Sequence, residues 1–282
     1  MATLRQIRRR IRSVQSTMQI TKAMEMLSAA KLRRAQAAAI AARRYAAATE
    51  GVLARVAGST GAHEHPAFAA RAPQRVLVAA VASDRGLCGG FNANVLIAAD
   101  RRRRALAPAR VEVLPIGRRA AHALGLAPAF GVPAVPRLED RSVLPEARNL
   151  ARRISVLFAA GEVDRVEFVY TRFITTSRRT VEARAIFPLE ELRPARDAAY
   201  LFEPDAPRLL EELLPRYATA GILAILTSSL AAEHSARMLA MGNATRNADE
   251  MIDSLTLTAN KLRQASITKE LLEIVGGSAG VS

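Results

Sequence analysis

Two long stretches, one at each end of the chain, constrain the fold more than anything between them. Ser228 to Gly277 contains no proline and only one interior glycine, Gly242. It is dominated by Ala, Leu, Met, Glu, Arg and Lys, all strong helix formers. Within it Ile252, Leu255, Ala259 and Leu262 fall at spacings of 3, 4 and 3, the seam of a coiled coil. Gly276-Gly277 supplies the expected stop. As one straight helix these fifty residues would reach roughly 75 Å at about 1.5 Å per residue. A compact domain cannot bury such a rod along its length, so another part of the chain or another protein must cover it.

Residues 2–57 repeat the pattern, with no proline and no glycine before Gly51. Leu4, Ile7, Ile11, Val14 and Met18 recur at 3-4-3-4, and the seam is expected to drift to Ile20, Met24 and Leu27. After Lys31 the apolar positions become almost all alanine, as in Ala37-Ala38-Ala39 and Ala46-Ala47-Ala48, which lets another helix approach closely. A second helix of roughly 80 Å follows from that length. Two seamed helices at opposite ends of one chain are most simply paired with each other, antiparallel.

Between them the period changes. Gly58-Ser59-Thr60-Gly61 ends the first helix and opens a loop. Arg75–Ala82 is a short apolar run with β-branched residues, and 110–116, 165–173 and 180–187 are further strand candidates. Helices are expected at 93–105, 120–126 and 146–160, with a loop over 131–145, which holds three prolines. Alternating strands and helices predict an α/β fold, here a small Rossmann-like domain attached to a long antiparallel two-helix coiled coil. The expected boundaries are 1–57 for the N-terminal helix, 58–74 and 191–207 for linkers, 75–190 for the α/β domain and 208–282 for the C-terminal helix, with interruptions at Pro215 and Gly221.

Charge is concentrated at one end. Residues 1–57 hold twelve Lys and Arg against Glu25 and Glu50, so that this fifth of the chain carries +10 of its net +15. Such a segment suits an acidic partner: nucleic acid, anionic lipid or an acidic protein surface. Cys88 is the only cysteine, which excludes an internal disulfide and fits a cytosolic setting. The basic N-terminus lacks the apolar core of a secretory signal. No run of eighteen apolar residues occurs, so direct membrane insertion is not expected.

Catalytic signatures are sparse. Gly86, Gly89 and Gly90 lie between a strand and a helix, where phosphate loops sit. The chain nevertheless has no G-x-G-x-x-G, no G-x-x-x-x-G-K-[ST] and no Gly-Lys pair. A tight turn needing positive φ is the simpler reading. Cys88 sits in that turn without a histidine nearby in sequence, so it is not expected to be a nucleophile. Asp84 and Arg85 are expected to satisfy loop backbone groups. His63-Glu64-His65-Pro66 offers two histidines without a third ligand, so no metal is expected. Arg101–Arg104 reads as a solvated helix face that could add to phosphate binding. No interleaved aromatics support base stacking. No cofactor is expected. A nucleic-acid-binding coiled coil and an α/β enzyme built on the Gly86–Gly90 loop are the two rivals, and neither accounts for the seamed helices.

Three stretches in order carry a resemblance: ITKAMEMLSAAKLRRAQ from Ile20, SDRGLCGGFNANV from Ser83, and EHSARMLAMGNAT followed by NKLRQASITKELLEIVGG near the C-terminus. Together they resemble the γ subunit family of F-type ATP synthases, and Tyr200–Tyr217 is similar to the family's lead-in to its last helix. The resemblance implies a central stalk with no bond chemistry of its own, whose rotation couples ion flow through the membrane sector to ATP synthesis or hydrolysis at the β subunits. Its terminal helices would lie inside a ring of three α and three β subunits, and its α/β domain against the ε subunit and the membrane c-ring. The implied location is peripheral, on the cytoplasmic face of the bacterial plasma membrane. Met24 matches a position where the shaft meets the β subunit's acidic loop. Arg237 and Gln264 match positions linked to coupling and ring contact. Lys22, Glu25, Lys31 and Arg34 lie in matching motif positions. Arg33 joins the basic face, and Leu271 and Ile274 lie at the implied shaft tip. Ala232 stands where the family usually has serine and Gly242 where it often has aspartate, which implies a lost polar contact at the first. At the second it implies a helix looser by about 1 kcal/mol relative to alanine.

Overall fold

The computed structural model describes residues 3–59, 66–68, 72–139, 141–189, 192, 202–203 and 205–279, without side chains at Ser59, Pro66, 269–270 and 273–279. His63 and His65 lie outside the described residues. The elements are α1 (Leu4–Ser59), a 3₁₀ turn at Pro66–Phe68, β1 (Arg75–Val81), α2 (Phe91–Ala105), β2 (Arg110–Ile116), α3 (Arg118–Leu124), α4 (Val143–Ala159), β3 (Arg165–Phe173), β4 (Arg179–Phe187) and α5 (Ala206–Ala279). By contacts the chain forms two compact units, one from the residues before Ala29 and after Arg237, the other from Ala29–Arg237; α1 and α5 each contribute to both.

Along α1 the least exposed residues recur at 4, 7, 11, 14, 18, 21, 25, 28, 32, 35, 39, 42, 46, 49 and 53, a 3-4 repeat without a break. The expected drift to Ile20, Met24 and Leu27 does not occur. Ile20 is 58% and Leu27 55% exposed, and the seam instead passes through Thr21, Glu25 and Ser28. Sequence periodicity missed this turn of the seam because its occupants are polar. Each is satisfied locally or across the seam. The Ser28 hydroxyl donates to Met24 O at 2.7 Å, and the Thr21 and Thr245 hydroxyls hydrogen-bond at 2.9 Å. Pairing of 21 with 245 and of Glu25 with Gly242 makes the two helices antiparallel in this unit. On α5 from Met251 onward, 252, 255, 259 and 262 are the half-buried positions among the described side chains, as the spacing predicts.

α5 is unbroken through Pro215 and Gly221 and continues past Gly276-Gly277 to Ala279, so neither the interruptions nor the stop occur. Pro215 and Glu211 are both exposed, so the Glu211 carbonyl that proline leaves without a donor faces water. Gly221 has another role: a Cβ there would lie 3.1 Å from Ile186 Cδ1, so its absence lets α5 approach the sheet closely. A helical glycine costs about 1 kcal/mol relative to alanine but does not forbid the helix, which is why Gly276-Gly277 does not end it.

The second unit is built on a four-stranded sheet of order β2-β1-β3-β4, with β1 parallel to β2 and β3, and β4 antiparallel to β3. β1 is buried on both faces, as a central parallel strand must be. Val76, Val78 and Ala80 face Val95 and Ala99 of α2. Leu77, Ala79 and Val81 face a larger core made by α4 (Leu150, Ile154, Phe158), the end of α1 (Leu53, Val56) and α5 (Ala218, Ile222, Ile225). Pro145, expected in a loop, is the third residue of α4, where a missing N–H costs no helical bond. Farther along the two long helices, Ala42 and Ala46 of α1 pack on Ala220 and Ala224 of α5. An 18-residue window of α5 has mean hydropathy 1.3, enough by length and composition for a membrane span, but 61% of it is buried in the protein.

Glu167 is the one carboxylate on β3 buried against α2. Arg102 holds it with two bonds of 2.5 and 2.6 Å, and Arg165 adds a third contact. Arg103 and Arg104 pair with Asp100. The 101–104 run is therefore not simply a solvated face: three of its four arginines neutralise carboxylates. Burial pushes the Glu167 carboxyl up, but hydrogen bonds and charge from Arg102 and Arg165 outweigh it and hold the group below its ordinary range.

Candidate functional site

The order β2-β1-β3 places a switch of direction at the carboxyl end of β1, where α/β sheets bind ligands. The loop there, 83–90, is the glycine turn read from the sequence. Leu87 and Gly89 take positive φ (62° and 57°), whereas Gly86 does not, so only one of the three glycines is used as expected. The Ser83 N–H donates to Asn92 Oδ1 at 2.9 Å, and Asn92 Nδ2 reaches the buried Cys88 Sγ at 3.2 Å. Asp84 accepts the N–H groups of Arg118 (3.0 Å) and Leu138 (3.1 Å), the backbone role anticipated for it. Gly117 opens α3 with φ +90°, its N–H donating to Val135 O at 2.8 Å.

What enters this loop is a cation from α5. Arg237 Nε–H donates to Gly86 O at 3.2 Å, its Nη2 to Arg85 O at 3.0 Å, and its Nη1 pairs with Glu233 at 2.8 Å. Arg237 and Glu233 are each only 7% exposed. A phosphate loop turns N–H groups inward toward an anion. This loop turns carbonyl oxygens toward a guanidinium, the opposite polarity. The crevice at the head of the sheet is closed by the chain's own arginine, and a nucleotide enzyme built on Gly86–Gly90 is not what the geometry offers.

Of the residues picked out by the sequence, Lys31 and Arg237 line one cavity in this unit, together with Asp84 and Arg85. Arg33 and Arg34 are exposed on α1, with no ion-pair partner among the described residues. In the other unit Lys22 pairs with Glu25 at 3.3 Å, and Met24 is half-buried beside them. Gln264 is exposed, Leu271 is 57% exposed, and the side chain of Ile274 lies outside the described residues. Ala232 is fully buried. Sequence reasoning missed Glu233, although an acid four residues before Arg237 on a helix is a readable pair. It also missed Arg118 and Arg141, whose convergence depends on the fold.

The family model for ATP synthase matches residues 3–281. The ATP synthase gamma chain of Pelotomaculum thermopropionicum is 42% identical over 284 residues, covering 100% of both chains. That of Moorella thermoacetica is 40% identical over 99% of both. The chain belongs to the ATP synthase gamma chain family. Its fold is also that of a chain in the Euglena gracilis mitochondrial ATP synthase, with a TM-score of 0.65 and 18% identity over 99% of this chain and 94% of that one. A chain of the Tetrahymena thermophila mitochondrial ATP synthase central stalk and c-ring matches with a TM-score of 0.58 and 23% identity, over 80% of this chain and 99% of that one. For this member of the gamma chain family, the carbonyl-lined loop and the two-helix seam are the features to be explained.

Proposed function

We propose that this chain is the central-stalk γ subunit of an F-type ATP synthase, turning inside a ring of α and β subunits and performing no bond chemistry itself. The observation that carries the reading is the full-length likeness to proteins named ATP synthase gamma chain. The geometry adds support. In the unit built from the two chain ends the seam is already occupied, yet Ile20, Met26, Leu27, Leu257, Leu271 and Leu272 remain 55–67% exposed. So many large apolar side chains outside a seam suit an enclosing partner.

In this reading the paired terminal helices engage the α and β ring, and the sheet-bearing unit meets the ε subunit and the membrane c-ring. The complex works at the cytoplasmic face of the bacterial plasma membrane. Met24, Lys22, Glu25, Gln264, Leu271 and Ile274 are contact residues on the helices, with Lys31, Arg33 and Arg34 extending the basic side; Arg237 acts on coupling from inside the chain, through its hold on the loop after β1. Exposed Arg33 and Arg34 act through screened, replaceable charge pairs rather than one locked interface.

Co-expression with α, β and ε subunits tests the assignment. A soluble complex whose ATP hydrolysis requires this chain is expected, and hydrolysis indifferent to its presence would overturn it. Neutralising Arg33 and Arg34 to glutamine should reduce ATP-driven torque most at low salt; unchanged torque across salt concentrations would remove the charge mechanism while leaving the assignment intact.

A further inference from the structure

The cavity beside the closed loop, about 300 Å³, is lined by cations and carboxylates together with the buried Leu230 and His234. The carboxylates that line it among the described residues are all engaged. Both oxygens of Asp84 accept backbone N–H groups, Glu233 is paired with Arg237, and Glu139 is paired with Arg137. That leaves Lys31, Arg85, Arg118 and Arg141 lining the same space without an ion-pair partner among the described residues. Its lining carries six cations against three carboxylates, a net charge of +3, and an anion placed among the four unpaired cations would relieve their repulsion.

We infer that this cavity is a binding site for a phosphoryl oxyanion, held by Arg118, Arg141, Arg85 and Lys31. Three of the four are guanidinium groups, whose planar donor forks match phosphate oxygens in pairs, whereas the lysine acts as a point charge. The volume admits a pyrophosphate or the polyphosphate end of a nucleotide as well as inorganic phosphate. Arg237 lines the same cavity but commits its fork to Glu233 and to two carbonyls, so it is not counted among the anion's ligands. The site does not depend on the stalk assignment.

The test uses the full-length chain at low salt, by calorimetry with inorganic phosphate, pyrophosphate and ATP in separate magnesium-free titrations. Saturable binding of pyrophosphate and ATP with similar affinity is expected, tighter than phosphate and weakening as salt is raised. Arg118→Gln and Arg141→Gln, both at exposed positions, should each weaken pyrophosphate binding about tenfold, while leaving the melting temperature of the unliganded chain unchanged or raised. Three outcomes would overturn the inference: no saturable binding of pyrophosphate, equal affinity in both variants, or binding of ATP without pyrophosphate, which would place recognition on the base.

Discussion

Arg237 and Gly86 are 151 residues apart in sequence, and the Nε–H of the one donates to the carbonyl of the other at 3.2 Å. This bond fastens α5 to the loop after β1, and the same guanidinium neutralises Glu233. Removing the cation leaves a buried carboxylate alone. Arg237→Met should therefore cost about 3–5 kcal/mol in urea unfolding. Combining it with Glu233→Gln should recover part of that loss, and a double-mutant cycle with no coupling between the two positions would contradict the latch.

Glu167 gives the sheet-bearing unit a pH dependence. Its carboxyl is held low in the folded protein by Arg102 and Arg165 against an ordinary value of 4.5, so below that value the unfolded chain binds the proton more readily. The stabilisation is full above about pH 4.5 and disappears as the pH falls further. Melting temperature measured from pH 7 down to pH 3 should drop less steeply in Glu167→Gln, which itself starts about 2 kcal/mol less stable from the loss of charged hydrogen bonds.

Gly117 is intolerant for two independent reasons. Its φ of +90° disfavours any side chain, and a Cβ would sit 2.1 Å from the carbonyl oxygen of Ala82, which is backbone and cannot step aside. Gly117→Ala should destabilise by about 3 kcal/mol or more, visible as loss of soluble full-length protein or a much lower urea midpoint.

Gly242 should behave in the opposite way. A Cβ there would meet Glu25 Oε1 at 3.3 Å, the far end of a flexible and partly exposed side chain. Helix propensity then dominates, and Gly242→Ala is expected to stabilise by up to about 1 kcal/mol in thermal melts, with an unchanged helical spectrum.

The elements whose signal is local were readable in advance. β2 and β3 begin and end where apolar β-branched runs do, and α1 and α5 follow from stretches free of proline and nearly free of glycine. The misreadings all came from treating a local rule as decisive. Pro215 does not break α5 because the carbonyl it orphans is on the wet side of the helix. The α1 seam does not drift because Thr21 finds Thr245, a partner 224 residues away that no window contains. Arg102 turns partly out of solvent for the same reason: Glu167 lies 65 residues on, and only the pairing of α2 with β3 brings them together. The loop's geometry was legible as a tight turn, but its polarity was not, since the direction of its carbonyls is fixed by Arg237.

The alanine contact between Ala42, Ala46, Ala220 and Ala224 has a mechanical consequence. A methyl group has no alternative rotamers, so burying it costs no side-chain entropy, and under load it has no second conformation to hop into. A strained leucine seam can creep by exchanging rotamers and so dissipate work as heat. At this alanine contact the four methyl groups cannot take up a small twist, which falls on the backbones and on Leu223 packed beside them. With so few rotamers to exchange, the helix pair is expected to act as a spring with little hysteresis.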